Sequence, residues 1–456
     1  MTHPAFTTDA ASGIGVYLMS EADWQAGQGG LSHSSRTFAE SLNFKGKADQ
    51  LVIVPDADGK AAEVIFGAGK AKDRLATAGL AAKLVAGTYE IRHKPDAWTM
   101  DHIAAGWADG AYRFDRYKEA GGDRPQLILK AGDAADAASI EADSIAFLRD
   151  LVNTPAQDMG PEAIENECRT MAAEFGADIA VTVGPDLIDE NYPMIHAVGR
   201  AGPQPPRLVE LVWGDESHRE LALVGKGVTF DTGGLNLKTG NYMRLMKKDM
   251  GGSAHAAALA RLVMAHKLPV RLKLYIPTVE NSISGNAFRP GDILQSRKGL
   301  SVEIDNTDAE GRLILGDALT RACETKPDLL IDFATLTGAA RVALGPDLAP
   351  FYTDEDELAA ALVSASAETG DPVWRMPLWA PYRSMLNSPI ADIVNAGGPQ
   401  AGSITAAIFL KQFVEDDQAW MHFDIWAWRL AKYGRPEGAA ACGLRAVFKM
   451  LQSRYG

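Results

Sequence analysis

Cysteine is scarce in this chain: 456 residues contain only Cys168, Cys323 and Cys442. They are odd in number, widely spaced and set in helix-like surroundings, which excludes a disulfide framework and predicts buried thiols. Long apolar runs are missing too. No stretch approaches the ~20 residues that a membrane-spanning helix requires, and Met1 to Asp9 has neither the basic nor the apolar region of an export signal. The expectation is a cytoplasmic globular protein with no membrane partner. Positive charge is in deficit, with 45 Lys and Arg against 59 Asp and Glu and a formal net charge of −14. That balance disfavours nucleic acid as a partner. Finally, none of the nine histidines forms H-x-x-x-H or H-E-x-x-H, so a histidine-ligated zinc protease is disfavoured.

What is present is an alternation of short apolar runs and helical stretches, in a chain long enough for one small and one large domain. Up to about Gly132 the runs Leu51–Val54, Val64–Phe66, Leu84–Ala86 and Leu127–Leu129 predict a small α/β unit. Within it Gly67-Ala68-Gly69-Lys70 has some likeness to a phosphate loop. Val64 stands where the first glycine belongs and Ala71 replaces Ser/Thr, so a plain turn is expected. A linking helix N-capped by Ser139 and ending before Asn153-Thr154-Pro155 follows. Beyond it, strands such as Leu208–Trp213, Leu221–Val224, Leu272–Ile276, Leu329–Phe333 and Met421–Ile425 alternate with helices, among them Met250 to His266. The fold class is therefore α/β: a small N-terminal α/β domain (1–137), a linking helix and connector (138–158), and a larger catalytic domain (159–456) whose mixed sheet is covered by helices on both faces.

Candidate chemistry centres on Asn306-Thr307-Asp308-Ala309-Glu310-Gly311-Arg312-Leu313, directly after a predicted strand, Leu300–Ile304. Taken alone, it reads either as an acidic turn capping the next helix or as an extended segment that points Asp308 and Glu310 the same way. Upstream, an apolar strand runs into Lys226, Asp231 and glycines, and Asp249 precedes a helix. Strand exits of this kind are where α/β folds place their sites. Four carboxylates, Asp231, Asp249, Asp308 and Glu310, can share a pocket only if cations neutralise them. Divalent metal is the natural counter-charge, and oxygen ligation suits zinc, manganese or magnesium, with two ions about 3.5–4 Å apart if carboxylates are shared. Lys226 is either a charge partner of these acids or a neutral ligand, and its spacing leaves both readings open.

These segments, with Val224-Gly225-Lys226-Gly227, Thr229-Phe230-Asp231, Lys238, Lys248-Asp249-Met250, Ala334 to Ala339, Ala401 to Ala406 and His422-Phe423-Asp424, make residues of roughly 150 to 440 resemble the cytosolic leucyl aminopeptidase family. The octapeptide is that family's signature. The resemblance implies one metal on Lys226, Asp231, Asp249 and Glu310, and a second on Asp231, Asp308 and Glu310. The ions would be Mn2+ or Zn2+, with Mg2+ as a third candidate. It also implies that Lys238 stabilises the oxyanion, that Arg312 holds a bicarbonate acting as general base, and that Met246, Thr335, Leu336 and Gly338 line the substrate pocket. The implied activity is a metallo-aminopeptidase, a hydrolase of leucine-type preference in intracellular peptide turnover. Metal-bound hydroxide would attack the first peptide bond of substrates with a free N-terminus, in a homohexamer. Thr232 stands where the family usually has Ser, which puts only the pocket shape in question.

Overall fold

The computed structural model describes residues 2–9, 12–118, 122–430 and 436–456. By packing the chain divides into Met1–Ala146 with Leu430–Gly438, and Phe147–Arg429 with Ala439–Gly456. The division falls inside one 21-residue helix, Asp133–Asn153. That helix begins earlier than the sequence suggested. Ser139 lies within it, its hydroxyl donating to the Ala135 carbonyl at 2.9 Å rather than capping the end.

In the N-terminal unit the strands are β1 (Phe6–Thr7), β2 (Ile14–Ser20), β3 (Leu51–Pro55), β4 (Ala61–Gly69), β5 (Gly87–His93) and β6 (Pro125–Ile128), ordered β1-β6-β5-β2-β4-β3. Only the β3–β4 pair is antiparallel. The helix Met100–Ala111 closes on this sheet because Thr99 caps it reciprocally with His102, while Ile103, Ala104 and Trp107 enter the core. Two local expectations differ. Gly67 to Gly69 complete β4 and the turn comes only after them, and Leu84–Ala86 lead into β5 instead of forming a strand.

The larger unit is built on a nine-stranded mixed sheet. Its strands are β7 (Asp178–Val183), β8 (Arg207–Trp213), β9 (Glu220–Gly225), β10 (Gly227–Asp231), β11 (Arg271–Asn281), β14 (Leu329–Ala334), β15 (Ala349–Tyr352), β16 (Val373–Arg375) and β18 (Trp420–Asp424). The order is β16-β15-β18-β14-β9-β11-β8-β7, with β10 alongside β11. A separate three-stranded sheet, β12 (Ile293–Gln295), β13 (Ser301–Glu303) and β17 (Ile393–Val394), carries the signature loop. The central strands β18, β14, β9 and β11 run parallel and are buried on both faces, mostly through apolar side chains, as expected of strands covered by helices on each side; the exceptions on β14 and β18 include Asp332 and His422, which pair with each other. Ala222 and Val224 face Leu313, Ile314 and the helix Pro193–Gly199, while Leu221 and Leu223 are equally buried on the opposite side. There the helix Gly251–Ala265 lies so close that a Cβ on Gly252 would come within 2.2 Å of the Phe333 carbonyl oxygen. Only glycine permits that approach.

Asp317, on the helix Gly311–Cys323, is fully buried and accepts three backbone N–H groups: Met194 at 2.8 Å, Ile195 at 3.3 Å and Arg297 at 2.8 Å. It thereby ties three segments together. Asp317→Ala would leave these donors unmet in the core and is expected to lower stability by on the order of 3 kcal/mol. Denaturant unfolding of the variant beside the wild type checks this, and an unchanged midpoint would count against it.

Candidate functional site

The carboxyl ends of the parallel strands deliver one side chain after another to a single cleft of about 450 Å³. A single residue, Lys226, separates β9 from β10, and both strands pair with β11. The Lys226 N–H donates to the Phe333 carbonyl at 3.0 Å and its own carbonyl accepts from Ser253 N–H at 2.8 Å. Clamped in this way, the side chain runs through the core, where a Cβ on Gly311 would approach its Cε to 2.4 Å. Its ammonium lies 2.7 Å from Asp249 Oδ2 and 3.0 Å from Glu310 Oε1, and donates to the Thr335 carbonyl at 2.8 Å.

Asp231 closes β10. Its Oδ1 accepts from Gly233 N–H and from Asn281 Nδ2, both at 2.8 Å, and its Oδ2 lies 2.7 Å from Lys238 Nζ. Lys238 also bonds Asp308. Asp249 sits in the 3-10 turn Met246–Met250, just before the helix Gly251–Ala265, and accepts the Thr335 hydroxyl at 2.9 Å.

The signature loop departs from the extended geometry. Glu310 has helical angles, φ −73° and ψ −35°, and heads the helix Gly311–Cys323. The two acids converge through a turn held from outside. Thr307 Oγ1 donates to the Gly233 carbonyl at 2.7 Å and accepts from Asn236 N–H at 2.8 Å. Asn395, just past β17, accepts from Asp305 N–H at 2.9 Å and Asn306 N–H at 3.1 Å, and donates to the Asn306 carbonyl at 2.7 Å. As a result Asp231, Asp308 and Glu310 each offer an oxygen within 4.8 Å of the others, a grouping able to hold a metal ion. Glu310 Oε2 is buried with no hydrogen-bond partner.

Electrostatics follow from this crowding. Burial and the Asp231 charge push Glu310 up to about 8, against the pull of Lys226. Burial and Asp231 likewise raise Asp308 to about 6, with Lys238 opposing. Burial works to lower Lys226, but Asp249, Glu310 and Asp231 outweigh it and hold the ammonium protonated. Burial draws Lys248 down to about 8.

Met246, Thr335, Leu336 and Gly338 line the same cleft as Lys226, Asp231, Lys238, Asp249, Asp308 and Glu310. Arg312 is the exception. It lies in the core beside the cleft, its guanidinium donating to the Asn395 carbonyl at 2.7 Å and its Nε left without a partner; burial brings it down to about 10. Among the lining residues that the sequence did not single out are Leu245, Arg341 and Trp426; Lys248 was noted only as part of a motif. Nothing in the local pattern marks Arg341 or Trp426, because they come from elements distant in sequence.

Fold and cleft together, a mixed α/β sheet with carboxylates and lysines gathered at its strand exits, suit a metal-dependent hydrolase. Residues 146–448 match the sequence pattern of the cytosol aminopeptidase family, catalytic domain, and residues 14–130 that of the M17 aminopeptidase N-terminal domain. The chain is 34% identical to a probable cytosol aminopeptidase of Aquifex aeolicus, over 92% of this chain and 91% of that one. It is 38% identical to Peptidase B of Pectobacterium carotovorum, over 84% and 89%. Among solved structures, the cytosol aminopeptidase of Coxiella burnetii superposes with a TM-score of 0.93 at 40% identity, covering 99% of this chain and 100% of that one. The bottromycin maturation enzyme BotP in complex with Mn superposes at 0.86 with 32% identity, covering 98% and 100%. The chain belongs to the cytosol aminopeptidase family. It is a metallo-aminopeptidase, a hydrolase that releases residues from the N-termini of peptides.

A divalent cation bound at these oxygens would compete with protons for them. Glu310, pushed up to about 8, and Asp308, at about 6, carry protons below those values and must shed them to bind metal. Metal affinity is therefore expected to rise as pH goes from 6 to 8. Calorimetric titration of chelator-treated protein with Mn2+ at several pH values reads this, and a flat profile would refute it.

Proposed function

We propose that the cleft holds two divalent cations, one on Lys226, Asp231, Asp249 and Glu310 and the other on Asp231, Asp308 and Glu310, with Asp231 and Glu310 shared. The observation that carries this reading is the convergence of three carboxylates within 4.8 Å, one of them with a buried oxygen that has no partner. The donor set is all oxygen apart from one amine, which suits manganese or zinc, with magnesium third. The manganese of BotP favours the first of these. When bound, such ions supply Lewis acidity and ionise a water near neutral pH.

The chain's own groups do the rest. Lys226 is kept protonated by Asp249 and Glu310, and cations on those oxygens would remove the field that holds its proton. Lys238 shares Asp231 and Asp308 in this structure. With cations bound at those oxygens its ammonium would be free to polarise the scissile carbonyl and stabilise the oxyanion. Arg312, a buried cation with an unpartnered Nε, would anchor bicarbonate as general base. The substrate's neutral α-amine would bind at this end of the cleft, which would place the first peptide bond over the acids and keep later bonds out of reach. Leucine-type side chains fit against Met246, Thr335, Leu336 and Gly338.

We further assign the enzyme to the cytoplasm, in peptide turnover, as the names of the cytosol aminopeptidase relatives support. Among the described residues no helix is long and apolar enough to cross a membrane. A homohexamer is proposed, consistent with exposed apolar side chains at Val342, Trp374, Trp379 and Ile390. Peptides rather than nucleic acid are its partners, in keeping with the net charge of −14.

Two outcomes follow. Lys238→Ala is expected to retain its metal and lose roughly 10²–10³ in kcat, the usual effect of removing one oxyanion stabiliser; metal content by atomic absorption beside initial rates decides, and a metal-free variant would make Lys238 structural. Leu-Gly-Gly should be cleaved and its N-acetyl form should not. Mass spectrometry showing comparable cleavage of both would overturn the exopeptidase reading.

A further inference from the structure

Two motifs of the sequence, Ala401 to Ala406 and His422-Phe423-Asp424, have no task in the reaction outlined above, and the fold brings them together. Asp424 closes β18 and is 1% exposed. Among the described residues no lysine or arginine lies within ion-pair distance of it. Four hydrogen-bond donors meet it instead. Leu336 N–H and Thr337 N–H reach its Oδ1, each at 3.0 Å, and the hydroxyls of Thr337, at 2.6 Å, and Ser403, at 3.1 Å, reach its Oδ2. Ser403 accepts in turn from the Tyr352 hydroxyl. The aim of Ser403 is set by Ala401, which takes left-handed angles, φ 52° and ψ 32°, to start the helix Gly402–Lys411. A residue other than glycine is held in that conformation only where its surroundings over-determine it.

A carboxylate buried without a cation is costly, and packing a loop against a strand end does not require one. What this one does is visible in a single peptide group. The N–H of the Thr335–Leu336 peptide donates to Asp424, while the C=O of the same peptide accepts Lys226 Nζ at 2.8 Å. A planar trans peptide points its N–H and C=O in opposite directions. Holding one end therefore fixes the aim of the other, and a charged acceptor on the N–H strengthens the carbonyl as an acceptor for Lys226. The Thr335 side chain works from the same backbone position, its hydroxyl donating to Asp249 Oδ1 at 2.9 Å. Asp424 touches neither Lys226 nor Asp249, yet the residue it secures touches both.

We propose that Asp424, braced by Ser403, is a positioning residue of the metal site: it locks the Thr335–Leu336 peptide so that Thr335 holds Lys226 and Asp249 where a cation needs them. The proposal rests on the two-cation reading, since it assigns the lock to two of the groups placed there as ligands. Groups that orient a metal's ligands set its affinity along with the ligands themselves. Without Asp424 the peptide is free to turn, Lys226 loses its carbonyl partner, and part of the binding energy of a cation is spent on restoring the arrangement. Ser403 serves the same end from the helix side, by keeping the Asp424 carboxylate turned toward the loop.

The test titrates full-length, chelator-treated protein with Mn2+ by calorimetry at one pH, beside melting curves of the same metal-free samples. Asp424→Ala should weaken Mn2+ binding by roughly 10–100-fold, the range for partners that orient a metal ligand. Asp424→Asn keeps a carbonyl oxygen for the two N–H groups and should restore most of the affinity. Thr335→Val removes the hydroxyl bond to Asp249, and joined to Asp424→Ala it should cost less than the product of the two separate losses, because both act through one residue. Should Asp424→Ala show no cooperative melt, Ser403→Ala gives the second reading: a smaller loss of affinity in the same direction, with an unchanged value overturning the proposal. A folded Asp424→Ala variant that melts earlier but binds Mn2+ as the wild type does would make Asp424 a structural anchor only and overturn it as well. Asp424→Asn as weak as Asp424→Ala, or a double variant showing the full product, does the same. Wild-type protein that takes up no Mn2+ would instead remove the two-cation reading beneath it.

Discussion

Four carboxylates in one buried cleft repel each other, and the architecture around them is arranged to hold them in place. Asp231 is fixed by Gly233 N–H and Asn281, Asp249 by the Thr335 hydroxyl, and the signature loop by Thr307 and Asn395. Each clamp comes from a different element. The acids therefore cannot relax apart without disturbing β10, β11, β14 and the small sheet together. Lysines answer the charge, and the same oxygens are what a metal would seek.

The parallel centre of the sheet makes this crowding possible. Strands β9, β14 and β18 end level with one another, so Lys226 and Asp424 emerge on either side of Ala334, with Thr335 one residue further on. Asp424 in turn accepts Leu336 N–H and Thr337 N–H, each at 3.0 Å, and fixes the loop beneath the pocket. A close glycine contact on one face and an apolar helix on the other hold the strands to the spacing the site needs.

Much of this was legible in the sequence. Apolar strands running into glycine and an ionisable residue marked Lys226 and Asp231, and the octapeptide marked Asp308 and Glu310, because strand exits have a local signature. The conformation of the octapeptide was not legible. Extended alternation and a turn can both aim two acids at one point, and the choice is made by Thr307 and Asn395, whose partners lie some 70 to 90 residues away. Lys226 as counter-ion or ligand is likewise a question of charge count, which spacing does not encode. The start of the helix Asp133–Asn153 was misplaced because Ser139 suits a cap yet bonds back to Ala135 inside the helix. Arg341 and Trp426 were invisible for a simpler reason: an indole flanked by cations exists only after three separate segments meet.

The pairing of Lys226 and Lys238 with the site's acids has a consequence for how the chain tolerates change. Lys226 joins the turn that carries Asp249 to the head of the helix Gly311–Cys323, and Lys238 joins the end of β10 to the signature loop. Each lysine is thus a rivet through two segments that meet nowhere in sequence, and its loss loosens both at once.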